Sequence, residues 1–236
     1  MTVSASFSVS ADLASLAQAT EAFAGNFPWM QEAVRVVKKA LHVCRSASEI
    51  SLAFNGGKDC TVLLFLVLPL WREKFPNAKL PLLYIHDEGG FEEESHFVQT
   101  VVNSYLIDSV SLVEIKNLSM KNALSHLTQT SPELRMIFMG TRRSDPHGNA
   151  LSLFDPTDSG WPAFVRVNPL LNWSYHDVWK FLRVLKIPFC SLYLHGYTSV
   201  GAITNTVPNP ALLRDDGSYA PAWELQDERD ERKGRF

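Results

Sequence analysis

The run Ile50-Ser51-Leu52-Ala53-Phe54 leads into Asn55-Gly56-Gly57-Lys58-Asp59, and then Cys60, Leu63, Leu64, Val67, Leu68 and Trp71 follow at helical spacing. A short apolar run ending at a glycine pair reads as a buried strand, and the segment after it as a helix with one apolar face. Two glycines let the chain turn tightly and bring N–H groups close to an anion. The helix start adds the positive end of its dipole, and Lys58 a point charge. The spacing is not GxxxxGK[ST], so the usual kinase or GTPase machinery is not indicated. A plain strand-to-helix turn is the alternative. The apolar strand before the loop and the Lys-Asp pair inside it favour a phosphate site.

Outward from this loop the same rhythm repeats. Leu80–His86, Val110–Ile115 and Arg135–Gly140 read as further strands. Phe91–Leu106 and a segment from about Ser119 to Thr128 read as the helices between them. Alternation of this kind means crossover connections and a Rossmann-like, mostly parallel α/β sheet with helices on both faces. Ligands then sit beyond the carboxyl ends of the strands. Polar groups are found there: the loop itself, His86-Asp87-Glu88, and Thr141-Arg142-Arg143-Ser144-Asp145. Residues 1–45 read as a helical brace broken near Asn26-Phe27-Pro28. Beyond residue 145, Pro146, Pro156, Pro162, Pro169, Pro188, Pro208 and Pro210 punctuate an irregular C-terminal lobe with one clear helix, Ser174–Leu185. Trp173, Val178, Phe181, Leu182 and Leu185 read as core. No linker or repeat separates these parts, so residues 1–236 are taken as one domain: a brace (1–45), a nucleotide-binding core (50–145) and a lobe with its tail (146–236).

Composition limits the function classes. The 236 residues are 46% hydrophobic and 20% charged, with a net charge of −3. That balance suits a chain with a real core and offers no general attraction to nucleic acid or anionic membrane. Cys44, Cys60 and Cys190 are widely spaced, without a CxxC pair, which argues against a disulfide scaffold or zinc site and fits a reducing compartment. The N-terminus lacks the features of a secretory or mitochondrial signal, and the longest apolar stretch, Thr61–Trp71, is too short to span a bilayer. A cytoplasmic monomer acting on small molecules is expected.

Five strings carry a resemblance. Ser51–Cys60 is similar to the SGGKDS pyrophosphatase loop of the adenine-nucleotide α-hydrolase superfamily, whose members cleave ATP between the α- and β-phosphates. Within it the chain resembles the eukaryotic FAD synthases, relatives of the phosphoadenosine phosphosulfate reductases, in which asparagine at position 55 is typical. Gly140-Thr141-Arg142-Arg143-Ser144-Asp145-Pro146 is similar to their GxRxxDP element, Pro156-Thr157-Asp158-Ser159-Gly160-Trp161-Pro162 to PTDxxWP, and Glu231-Arg232-Lys233-Gly234-Arg235 to ERxGR. Tyr193–Gly201 resembles the family's YGYTSLG element and is expected to help wall the flavin site.

The resemblance implies transfer of an adenylyl group from ATP to FMN, giving FAD and pyrophosphate. It implies ATP contacts at Ala53, Phe54, Asn55, Gly56, Gly57, Lys58, Asp59, Ile85 and His86, the last weighed evenly against an ordinary satisfied histidine. It implies FMN contacts at Thr141, Arg142, Asp145, Asp158, Trp161, Arg166, Arg232 and Arg235. Catalytic roles fall to Asn55, Asp59, Asp145, Arg232 and Arg235. Mg²⁺ is expected, held mainly by phosphates and water. Rival readings are a non-catalytic flavin- or nucleotide-binding module, a phosphosulfate reductase and a tRNA-thiolating enzyme. The reductase would need a reactive cysteine near the C-terminus, and the thiolating enzyme paired cysteines and a basic surface.

Overall fold

The computed structural model describes residues 27–86 and 89–236, together with Gln18, Thr20, Ala22 and Gly25. Most of the expected brace before Phe27, and Asp87-Glu88, lie outside the described residues. The first element, α1 (Pro28–Val43), has Pro28 in its first turn, where a missing N–H costs nothing. It buries Met30, Ala33, Val36, Val37, Ala40 and Leu41 along one stripe. Strand β1 (Ile50–Ala53) follows, then α2 (Lys58–Lys74). Residues 60–71 of α2 are buried all round, rather than on one face as the spacing suggested. The reason is its place in the molecule: α1 and α5 (Tyr175–Val184) both pack on it, so the sheet is not its only neighbour.

The remaining strands are β2 (Leu80–Ile85), β3 (Val110–Ile115), β4 (Met136–Phe138), β5 (Phe154–Pro156) and β6 (Val165–Val167). Helices α3 (Glu92–Thr100) and α4 (Met120–Thr130) complete the crossovers. The segment expected as one helix to Leu106 changes after Thr100 into a π-helical turn, Val101–Tyr105. The described strands form one six-stranded sheet in the order β3-β2-β1-β4-β6-β5. Every pairing is parallel except β5 with β6. In register, Leu52 of β1 sits between Leu82 of β2 and Phe138 of β4, all three in the buried core.

The sheet therefore does not stop at residue 145. The Pro156–Pro162 string forms the loop of an antiparallel hairpin, β5–β6, whose second strand is parallel to β4. Strand order reverses between β1 and β4, because β2 and β3 build outward on one side and β4 and β6 on the other. A parallel sheet opens a crevice at such a reversal, beyond the strands' carboxyl ends.

Candidate functional site

That crevice is a cleft of about 530 Å³, a size that suits a small ligand. Its floor is the turn after β1. Gly56 has φ +85°, a conformation that favours glycine, and a Cβ there would meet the Glu94 carbonyl at 3.0 Å. Gly57 is the N-cap of α2 and has no side chain to satisfy the first-turn N–H groups; the Lys58 N–H donates to the Tyr193 hydroxyl at 2.9 Å. The carbonyl oxygen of the Asn55 side chain accepts from the Gly57 N–H (3.1 Å) and the Cys60 thiol (3.0 Å). With that oxygen committed to the loop, the amide nitrogen is the end of Asn55 left for a ligand.

The segment after β4 approaches this floor closely. A Cβ on Gly140 would lie 2.9 Å from the Cys60 nitrogen, so glycine is required there by packing on α2. Two residues on, Arg142 is fully buried. Its Nε donates to Asp59 Oδ1 (2.7 Å) and its Nη2 to Glu231 Oε1 of the C-terminal tail. Lys58 Nζ donates to the same Glu231 oxygen (2.6 Å) and to Asp59 Oδ2 (2.9 Å). Burial alone would lower the pKa of Lys58, but Asp59 and Glu231 more than offset it and hold the ammonium charged. Burial would likewise raise Asp59, yet Arg142 and Lys58 bring it below the usual carboxylate range. Asp145, which accepts the Arg142 N–H at 2.8 Å, is pushed upward by burial.

One wall is apolar: Leu83, Ile85, Met120, Leu124, Ile137 and Met139. At the far end the β5–β6 loop presents Trp161, 40% exposed, and Asp158. Thr157 Oγ1 pins that loop by donating to the Pro162 carbonyl (2.7 Å) and accepting from the Phe164 N–H (3.1 Å). Arg166 braces it through Asp155 (3.0 Å), the Pro156 carbonyl (2.8 Å) and Asp158 (3.3 Å). The tail supplies Arg232, whose side-chain hydrogen bonding among the described residues is one 3.4 Å contact to Ser199 Oγ.

The cleft gathers Ala53, Phe54, Asn55, Gly57, Lys58 and Asp59 with Ile85, Thr141, Asp145, Asp158, Trp161, Arg166 and Arg232. Tyr193, Ser199 and Val200 also line it, in keeping with the expected wall. Four expected ligand contacts lie elsewhere. His86 pairs with Glu114 at 2.7 Å and packs on Tyr84, which is the bland alternative for a histidine at that strand end. Gly56 turns toward α3. Arg142 is sealed beneath the floor, and its guanidinium holds carboxylates instead of reaching the cleft. Arg235 tucks under Gly201 and donates to the Val200 carbonyl at 2.8 Å, supporting the wall from behind. Lys58 is at the cleft floor, but its ammonium is bound by two carboxylates. Glu231 and the α4 residues Met120 and Leu124 were not anticipated. No residue type or spacing pointed to Glu231, because the pairing of Asp59 with Arg142 across 83 residues is visible only in the fold.

Known proteins resemble this chain in sequence and fold. A model of the phosphoadenosine phosphosulfate reductase domain matches residues 49–208. A probable FAD synthase of Schizosaccharomyces pombe is 37% identical over 192 residues, which cover 79% of this chain and 71% of that one. The chain belongs to the FAD synthase family. Two solved structures match its fold. Candida glabrata FMN adenylyltransferase, solved with FAD and inorganic pyrophosphate, superposes with a TM-score of 0.83 at 29% identity, over 95% of this chain and 96% of that one. Yeast FAD synthetase in complex with FAD gives 0.83 at 31% identity, over 97% and 99%. The rival readings find no support in the thiols. Cys190 and Cys60 are buried, with pKa values pushed up to about 12, so neither is a ready nucleophile.

Proposed function

We propose that this chain transfers the adenylyl group of ATP to the 5′-phosphate of FMN, giving FAD and pyrophosphate. The observation that carries this reading is the meeting, in one cleft, of a helix N-terminus opened by glycine, an apolar wall and an indole on a braced hairpin. The positive end of α2, whose N-cap Gly57 brings no side chain, suits the phosphates of ATP. The wall of Ile85, Leu124 and Met139 suits a flat base, and Trp161 an isoalloxazine ring.

No general base is required. The second pKa of a phosphate monoester is about 6, so the FMN phosphate is already largely ionised at neutral pH. It attacks the α-phosphorus in line, and pyrophosphate leaves from the opposite side. The protein's task is to hold two anions together and stabilise charge that develops between them. Asn55 is assigned to the α-phosphate through its amide N–H group. Arg232 is assigned to the FMN phosphate, since it lines the cleft and has no carboxylate within ion-pair distance among the described residues. Arg166 and Arg235 hold the walls. The Lys58 ammonium is already neutralised by Asp59 and Glu231, so the helix dipole of α2 and the Asn55 amide are assigned the main phosphate contact.

The residues present fit magnesium. The described residues contain no cluster of three or more acidic, histidine or cysteine ligands, as suits an ion held mainly by phosphates and water. Asp145 lines the cleft, and one of its oxygens accepts no hydrogen bond among the described residues. Asp145 would hold the ion, which would supply charge neutralisation to the departing pyrophosphate. A monomer in a reducing, cytosolic setting completes the proposal; the three free cysteines support the setting. No described helix is long and apolar enough to cross a membrane. The test is incubation with ATP, Mg²⁺ and either FMN or riboflavin, following FAD and pyrophosphate together. Equal amounts of both products with FMN alone support the proposal; neither product with FMN overturns it.

A further inference from the structure

Lys58, Asp59, Arg142 and Glu231 form a closed ring in which each charge meets two of opposite sign. The ring ties together three distant segments: the start of α2, the turn after β4 and the C-terminal tail. Both cations are buried, and Glu231 is 6% exposed. The backbone around Glu231 is fixed from the other side: Thr198 Oγ1 donates to the Glu231 carbonyl (2.6 Å) and Asn209 Nδ2 to the Asp230 carbonyl (2.8 Å). Among the described residues, only the Glu231 side chain carries hydrogen bonds from the tail to α2 and to Arg142. Arg232, the next residue, is the tail arginine that lines the cleft.

We propose that Glu231 is a positioning residue: its carboxylate clasps the tail to the ATP loop and thereby sets Arg232 over the reacting phosphates. This rests on the functional reading above. The ring is electrically balanced, with two cations and two anions. Its contribution is thus geometry, and the net positive charge offered to the substrates comes from Arg232. A clasp acting through Arg232 loses its catalytic effect once Arg232 is gone. A residue that matters only for stability does not.

The experiment is a double-mutant cycle on the full chain, comparing wild type, Glu231→Gln, Arg232→Ala and the double variant. Glu231→Gln keeps the shape and removes the charge. It should lower kcat/KM for FMN by about 10²-fold, the scale of losing one preorganised donor. ATP affinity measured without FMN should stay within about threefold, because the loop keeps its own bonds to Tyr193 and Asn55. The double variant should be no slower than Arg232→Ala alone. Additive losses, or a Glu231→Gln enzyme equal to wild type, overturn the proposal. Should Glu231→Gln fail to fold, Glu231→Asp keeps the charge and withdraws the carboxylate by one methylene. It should show the same split between FMN and ATP at smaller amplitude, and equal losses for both substrates count against the clasp. A wild type that makes no FAD refutes the functional reading instead. Hydrogen exchange then still decides on the clasp, since the amides of residues 228–236 should exchange faster in the variant.

Discussion

Asn55 and Arg142 show how differently two residues of one site can be constrained. Asn55 faces the ligand with its amide nitrogen and holds the loop with its oxygen, so Asn55→Ala removes both a ligand-facing donor and the acceptor of the Gly57 N–H and the Cys60 thiol. It should lower kcat by about 10²–10³-fold and cost about 1 kcal/mol of stability in a thermal melt. Arg142→Met leaves Asp59 and Glu231 with Lys58 as their one shared cation in a buried place, which should cost about 3–5 kcal/mol in urea denaturation. Its neighbour Arg143 is exposed and bonds Asn172 (2.7 Å), so Arg143→Ala should cost under about 1 kcal/mol. Asp59 adds a pH dependence. Its folded pKa is depressed, so its stabilisation is full above the unfolded value near ~3.9 and is lost as pH falls through the folded one. Stability measured from about pH 5 downward should fall more steeply in wild type than in Asp59→Asn. At this scale the sequence named most of the cleft-lining polar residues but not their partners. The type and order of residues reveal an arginine near a phosphate site; they do not reveal whether its guanidinium faces the cleft or lies beneath it.

The elements were more legible, because hydrophobic period reports burial directly. Val110–Ile115 begins and ends where the spacing put it, and Trp173, Val178, Phe181 and Leu182 are core residues on and before α5. The hairpin β5–β6 was missed for a physical reason. Each strand has three residues, too few for an alternation to register, and proline opens and closes their loop. Gly140 illustrates how elements fix the site: the end of β4 and the start of α2 touch backbone to backbone there. Gly140→Ala should force them apart at a cost of about 1–3 kcal/mol and reduce activity by pulling Arg142 away from Asp59. Gly160→Ala, in open space at φ +80°, should strain the hairpin turn without any clash. Thermal melts with activity assays on both variants check this contrast.

For the molecule as a whole, strand order places the phosphate loop and the β4 turn side by side, the hairpin adds a platform for a ring, and the tail returns to close the floor. The parallel core could be foreseen because its logic is local, strand then helix. The tail's docking could not be foreseen from composition, since most charged tails are solvated, and only its resemblance to ERxGR singled it out. Binding of ATP, a polyanion, to this cleft should weaken with added salt less than surface ion pairing would, because the first turn of α2 lies at the floor of the cleft. The central claim is that the bond between the α- and β-phosphates breaks and the α-phosphate moves to FMN. ATP labelled at the α-phosphate, and separately at the γ-phosphate, tests it most directly. Label should enter FAD from the α-position and pyrophosphate from the γ-position; γ-label in a flavin product or in free inorganic phosphate would contradict the account.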